Sequence, residues 1–389
     1  MRHIYIHVPF CRRRCSYCDF AIAVRKAIPA ARFVAAIRRE HELRRRLGEW
    51  DGESLETLYL GGGTPSLLDP QAVADLVRHF TGEAGGATRP QESDLEITLE
   101  ANPEDVTREA ARAWVACGIN RVSLGVQSFH PGVLRWMHRS HGPEAPARAV
   151  KLLRRAGVRS ISLDLIFALP ESLEHDFRSD LEAAVALEPD HLSIYGLSVE
   201  PRTPLSRWIS RGAIAPPREE RYAEEFLLAH EYLTARGFDH YEVSNYARPG
   251  FRARHNSAYW RGEPYAGLGP AAHRYQLTRS GEWMRAWNVD QWAAYEPLVA
   301  AGTDPTAARE ILTTEKRALE AVYLGLRTSE GISPADPLIR AALDEGPLLK
   351  LAISKGWLRN GGNRLVPSAE GWLRLDQLVV SLTTSAGGG

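Results

Sequence analysis

Three cysteines stand in the run Cys11-Arg12-Arg13-Arg14-Cys15-Ser16-Tyr17-Cys18, directly after the apolar segment His3-Ile4-Tyr5-Ile6-His7-Val8-Pro9, whose pattern reads as a first β-strand. Three thiolates at Cys-x3-Cys-x2-Cys spacing on one loop can each hold one iron of a [4Fe–4S] cluster, leaving the fourth iron without a protein ligand. Such an open iron is a place for chemistry. The competing chemistry is a structural zinc, which wants a closed set of four nitrogen and sulfur ligands; His7 could complete it.

At 389 residues the chain is long enough for one large and one smaller domain. Its 48 basic and 48 acidic residues cancel, so no global field favours nucleic acid or a membrane surface. The fourth cysteine, Cys117 in Trp114-Val115-Ala116-Cys117-Gly118, reads as a buried small apolar residue near a helix end. With three of four cysteines in one motif no disulfide framework is expected, which suits a reducing cytoplasm. Arg2 and His3 lead straight into a strand, so no signal peptide is expected, and no window approaches the roughly 18 apolar residues of a membrane span. A soluble, cytoplasmic protein is expected, with peripheral contact at a membrane left open.

Six apolar runs alternate with helical segments: Ile4 to Val8, Leu58 to Gly61, Leu95 to Leu99, Arg121 to Gly125, Ile161 to Phe167 and His191 to Leu197. Such alternation predicts parallel βα units of an α/β fold. In the first helix Phe33, Ala36, Ile37, Leu43 and Leu47 form the expected inner stripe, with the arginines facing away. Thr107 is placed to cap a helix that ends before Gly118. Periodicity alone leaves a doubly wound sheet and a barrel both open.

Functional groups of parallel α/β folds gather at the carboxyl ends of the strands. The cysteine loop follows the first strand, Gly61-Gly62-Gly63-Thr64-Pro65 the second, Glu100 ends the third, Gln127 follows the fourth and Asp164 lies in the fifth. Beyond about residue 200 prolines 201, 204, 216 and 217 make the pattern less regular. From about residue 305 a compact unit is expected: a helix around Thr314 to Arg327, another around Pro337 to Lys355, and a hairpin turning at Asn360-Gly361-Gly362-Asn363. The final Ser385-Ala386-Gly387-Gly388-Gly389 reads as disordered.

The cysteine motif, with its flanking words Tyr5-Ile6-His7-Val8-Pro9-Phe10-Cys11 and Tyr17-Cys18-Asp19-Phe20, resembles the radical S-adenosylmethionine (SAM) proteins. Within them it is similar to the oxygen-independent coproporphyrinogen III oxidase family, specifically its HemW-type haem-chaperone branch. The resemblance implies a partial (β/α)6 barrel over residues 1–200, an extension over 201–304, a winged-helix-like α+β domain over 305–383 and a disordered tail over 384–389. It implies that Cys11, Cys15 and Cys18 bind the cluster, whose free iron is chelated by SAM. It also carries over Tyr5, Tyr17, Gly62, Gly63, Thr64, Glu100, Gln127, Arg139 and Asp164 as SAM contacts. The chemistry fits: glycines permit close approach to the SAM ammonium, carboxylates accept from ribose hydroxyls or offset the sulfonium, and Arg139 can pair with a carboxylate. A winged helix often binds DNA, but Asp336, Asp344, Glu345 and the neutral overall charge argue against nucleic acid.

Two features separate the branches. The oxidase branch carries a further cysteine two residues beyond the third cluster cysteine, where this chain has Phe20. The word Arg254-His255-Asn256-Ser257-Ala258-Tyr259-Trp260 contains the His-Asn-x-x-Tyr-Trp motif of the chaperone branch. In it His255 could ligate haem iron, Tyr259 and Trp260 pack on the porphyrin, and Arg252, Arg254 and Arg261 pair with propionates; His273 is a rival ligand. The expected function is therefore haem binding and delivery to an apo-haemoprotein, with the oxidative decarboxylase as the alternative. Arg12, Arg13 and Arg14 either balance the anionic cluster or receive an acidic electron donor such as reduced flavodoxin or ferredoxin.

Overall fold

The computed structural model describes residues 1–50, 54–82, 95–344 and 346–383. Six strands, β1 (His3–Val8), β2 (Thr57–Gly62), β3 (Glu96–Ala101), β4 (Arg121–Gln127), β5 (Ser160–Phe167) and β6 (His191–Gly196), follow the six apolar runs. They pair in parallel in chain order. Helices on the outside cover the outer sheet face, where Ile6, Val8, Leu58, Leu60, Leu99, Val122, Leu124, Leu163 and Leu165 are wholly enclosed. Short strands extend this sheet at both edges. β7 (Asp239–Glu242) and β8 (Asn245–Ala247) add antiparallel beyond β6, and β9 (Ala266–Leu268) adds parallel to β1. The order is thus β9-β1-β2-β3-β4-β5-β6-β8-β7, an open, partial barrel.

Thr107 caps the helix Arg108–Ala116 by accepting from the Ala110 amide, and Gly118 follows at φ +104°. The first helix, Ala30–Arg46, departs from expectation. Phe33, Ala36 and Ile37 are buried, but Leu47 is 51% exposed, and Glu40 and Arg44 take the inner face instead. The surface they meet is polar. Glu40 accepts from the Gly269 amide (2.8 Å), Tyr295 hydroxyl (2.6 Å) and Asn288 amide (2.7 Å), while Arg44 reaches Thr306 (3.0 Å) and Asp304 (2.9 Å). The three bonds that Glu40 accepts and the two contacts of Arg44 Nη2 offset much of the cost of burying this pair, and they lock residues 269–306 onto the barrel.

A three-stranded antiparallel sheet follows: β10 (His273–Leu277), β11 (Trp283–Asn288) and β12 (Thr306–Leu312). Then comes the helix Thr314–Leu326. The single helix expected from Pro337 to Lys355 is broken into Pro337–Arg340 and Pro347–Ser354, each opened by a proline at its first position, where the missing N–H costs no helical bond. In the hairpin of β13 (Leu358–Gly361) and β14 (Arg364–Pro367), Gly361 pairs with Arg364, so the turn centres on Gly362-Asn363, one residue later than read from sequence. Gly362 supplies the positive φ (+71°) that the first central position of such a turn needs. This unit has its own core, including Val322, Leu326, Leu358, Leu365 and Leu382. Trp372 joins it to the barrel, packing in the main core while its indole donates to the Leu326 carbonyl (3.0 Å). Glu345 and the tail 384–389 lie outside the described residues.

Candidate functional site

The cysteine loop is an excursion between two short strands, Phe10–Cys11 and Ala23–Val24, that pair in parallel. Backbone bonds pin its middle: Ser16 donates to Met137 (3.3 Å) and accepts from Leu205 (2.8 Å). The Thr64 hydroxyl donates to Cys11 Sγ (3.4 Å), and Arg139 directs Nη1 at Cys15 Sγ (3.7 Å). Donors aimed at two sulfurs suit thiolates. Burial and neighbouring thiols push Cys18 up to about 11, and burial raises Cys11, a cost that bound iron reverses by holding the thiolate. Among the described residues no group of three His, Cys, Asp or Glu converges on one metal ion; cysteines that each take a separate iron of a cluster need no such convergence.

These cysteines line a cavity of about 430 Å³, together with Tyr17, Gly62, Gly63, Thr64, Glu100, Gln127, Arg139 and Asp164. Successive strand ends deliver them to one wall. Glu100 accepts from the Tyr59 hydroxyl (2.8 Å) and the Gly62 amide (2.9 Å). Asp164 accepts from the Ser123 hydroxyl (2.9 Å). Burial, with smaller mutual repulsion, pushes Glu100 up to about 7; burial pushes Asp164 up to about 6. Neither carboxylate has an ion-pair partner among the described residues. Two enclosed carboxylates without a cation beside a cysteine loop fit a ligand that brings a sulfonium and an ammonium.

Several expectations change in detail. Tyr5 does not line this cavity but an adjoining one, its hydroxyl bonded to His7 Nδ1 (3.1 Å). Arg139 donates to Asn102 Oδ1 (2.6 Å) and the Gly125 carbonyl (2.7 Å), tying the β3 and β4 ends to the cysteine loop. Gly62, at φ +108°, is required by packing, since a Cβ there would lie 2.5 Å from the His7 ring. Gln127 ends β4 at φ +69°, beyond a register shift after Gly125, a strained conformation of the kind stored at binding sites. Arg12 is held by Asp105 (2.8 Å) and Arg14 bonds the Cys18 carbonyl (3.3 Å), so both brace the loop.

The adjoining cavity is larger, about 810 Å³, and shares Phe20, Gly62 and Glu100 with the first. Its remaining wall comes from residues 259–285 and from the C-terminal unit, including Tyr259, Trp260, His273 and Arg317. Phe20 is 57% exposed between the two spaces. His255 is 1% exposed and does not line the cavity: its Nδ1 bonds Thr57 Oγ1 (2.6 Å) and its Nε2 bonds the Tyr259 hydroxyl (2.8 Å). Burial and nearby His3 lower it to about 3, a neutral imidazole with both nitrogens engaged. Arg252 and Arg254 pair with Asp239 and Glu56 away from this wall, and Arg261 pairs with Glu263 on it. The motif word therefore contributes its aromatic end, Tyr259 and Trp260, and His255 holds Tyr259 in place.

Sequence reading missed Asn102, Ser123 and Tyr195, all on the wall of the smaller cavity, because each sits beside a marked residue without a motif of its own. The Radical SAM superfamily matches residues 5–184. The heme chaperone HemW of Mycobacterium tuberculosis (strain ATCC 25618 / H37Rv) is 37% identical over 387 residues, covering 97% of this chain and 94% of that protein. The heme chaperone HemW of Escherichia coli (strain K12) is 38% identical over 271 residues, 69% of each chain. Coproporphyrinogen III oxidase (HemN) from Escherichia coli superposes with a TM-score of 0.79 at 21% identity, covering 98% of this chain and 90% of that one, a likeness of fold. With relatives this similar along almost its whole length, the chain belongs to the HemW haem-chaperone family of radical SAM proteins.

Proposed function

We propose that the protein binds haem and delivers it to an apo-haemoprotein, on a scaffold whose Cys11, Cys15 and Cys18 hold a [4Fe–4S] cluster. Tyr17, Gly62, Gly63, Thr64, Glu100, Gln127, Arg139 and Asp164 surround SAM, which supplies one-electron chemistry when bound at the cluster. The observation that carries the reading is the second cavity. At about 810 Å³ it has the size of a site for a large organic ligand, and Tyr259 and Trp260 give it aromatic faces. Phe20 stands where the decarboxylating branch places a further cysteine, and a phenyl ring offers neither thiol nor proton.

Arg12, Arg13 and Arg14 are all exposed, and Arg13, which among the described residues has no partner, is left to meet an acidic donor such as reduced flavodoxin or ferredoxin. The four cysteines are free, which fits a reducing cytoplasm, and no helix among the described residues is long and apolar enough to cross a membrane. A membrane-bound recipient would be met by peripheral contact.

The test uses anaerobically reconstituted protein, SAM and a reductant. Haem should bind stoichiometrically and pass to an added apo-cytochrome, while coproporphyrinogen III gives no protoporphyrinogen IX. Multiple-turnover decarboxylation, or haem that never leaves the protein for the cytochrome, would overturn the reading.

A further inference from the structure

Three histidines belong to the surroundings of the larger cavity, and the structure separates them by what their nitrogens already do. His255 has both ring nitrogens bonded, to Thr57 and Tyr259. His7 also has both engaged, with the Ala21 carbonyl (3.0 Å) and the Tyr5 hydroxyl (3.1 Å). His273 lines the cavity, and among the described residues neither of its ring nitrogens has a hydrogen-bond partner. Its ring lies against Trp287, centroids 5.5 Å apart and planes 18° apart, which fixes the imidazole plane without occupying a nitrogen.

The backbone beneath His273 is rigid. It opens β10 and pairs with Trp287 of β11. The preceding loop is wound through Gly269 (φ +98°) and Ala271 (φ +57°), with Ala271 donating to Val289 (2.9 Å). Gly267 admits this close crossing, since a Cβ there would fall 1.8 Å from the His273 carbonyl oxygen. A free imidazole on a stiff strand start, facing an aromatic cavity, is what an iron ligand requires.

The charges on the same wall sort in the same way. Arg261 is answered by Glu263 and Arg285 by Glu320. Arg317 and Arg364 have no carboxylate partner among the described residues. Arg317 lies 4.4 Å from the Trp283 ring centroid, with its Nε buried and unbonded, and Arg364 spends two donors on the Glu330 and Gly331 carbonyls (2.6 and 2.7 Å). The cavity thus holds two guanidinium groups that, among the described residues, have no carboxylate partner and keep donors to offer one.

Resting on the haem-chaperone reading, the geometry points to His273 as the axial ligand of the haem iron, with Arg317 and Arg364 pairing with the two propionates. His255 is then a positioning residue that acts through the Tyr259 hydroxyl. The arrangement joins the barrel rim to the C-terminal unit through the cargo itself.

The test is titration of the reconstituted protein with ferric haem, read by visible absorption and electron paramagnetic resonance. His273→Ala should lose the histidine-ligated spectrum and bind at least about tenfold more weakly, the low end of the cost of losing a group that merely orients a metal ligand. Added imidazole should restore the spectrum, and unchanged cluster iron content shows that the variant folds; His273→Gln should behave likewise. His255→Ala should keep the spectrum, and Arg317→Leu or Arg364→Leu should weaken haem but not its dimethyl ester. An unchanged spectrum in both His273 variants, or its loss in His255→Ala with imidazole rescue, overturns the ligand assignment and leaves delivery of haem standing. Failure of the unmodified protein to bind haem would instead remove the chaperone reading itself.

Discussion

The two cavities share Phe20, Gly62 and Glu100, yet they are assembled in opposite ways. The smaller one is built from the residues that directly follow parallel strands, so each contributor sits at a place that strand order dictates, and its wall carries three thiols and two enclosed carboxylates. The larger one is closed by segments that lie far apart in the chain, from residues 5–21, 259–285 and 317–364, and its wall carries the His273 imidazole and two guanidinium groups without a carboxylate partner among the described residues. In the proposed function the first receives SAM at the cluster and the second receives haem. The difference teaches that a single sheet can serve two sites of different construction when its edge strand, β9, carries chain across to a second unit.

The sharpest break between the two should come from Cys15→Ala. Removing one of three thiolates is expected to lower iron–sulfur content from about four irons per chain to nearly none and to abolish SAM binding with it, while haem still binds. Iron analysis and parallel titrations check this; retention of the cluster would defeat the assignment of the cysteine loop.

A smaller effect is expected from the carboxylates. A cationic ligand binds the ionised form, and burial has raised Glu100 to about 7 and Asp164 to about 6. SAM affinity should therefore rise with pH through this window and level off above it, because below it binding must first displace protons. Glu100→Gln should cost about tenfold in SAM affinity near pH 8, about 1.4 kcal/mol, and should flatten the pH profile. Isothermal titration between roughly pH 5.5 and 8.5, a range that spans both groups, reads both. An affinity independent of pH in the unmodified protein would remove Glu100 and Asp164 from the site.

The smallest effect distinguishes packing from access at Gly62. Gly62→Ala already forces a Cβ against the His7 ring and an unfavourable φ, so it should lower thermal stability and SAM affinity together. A loss of SAM affinity at unchanged stability would mean that the glycine serves ligand approach after all.

Much of the first cavity was legible because its parts obey short rules. Apolar runs fixed β1 to β6, and motif residues fell at their ends. What escaped was decided by partners far along the chain. Nothing local distinguishes Arg44 from the exposed arginines around it; the polar groups of residues 269–306 draw it inward. Ala266–Leu268 is too short to show a period, so β9 was unreadable. His255 stood out through its motif, whereas its buried, doubly bonded state depends on Thr57, about two hundred residues earlier in the chain. His273 drew less notice because an unpartnered nitrogen has no sequence signature.

The most direct measurement is a titration of the reconstituted protein with haem at saturating SAM, following both ligands at once. Separate cavities predict one haem bound per chain with SAM retained at the cluster. Displacement of SAM by haem in equal amount would contradict them, since it would place both ligands in a single space.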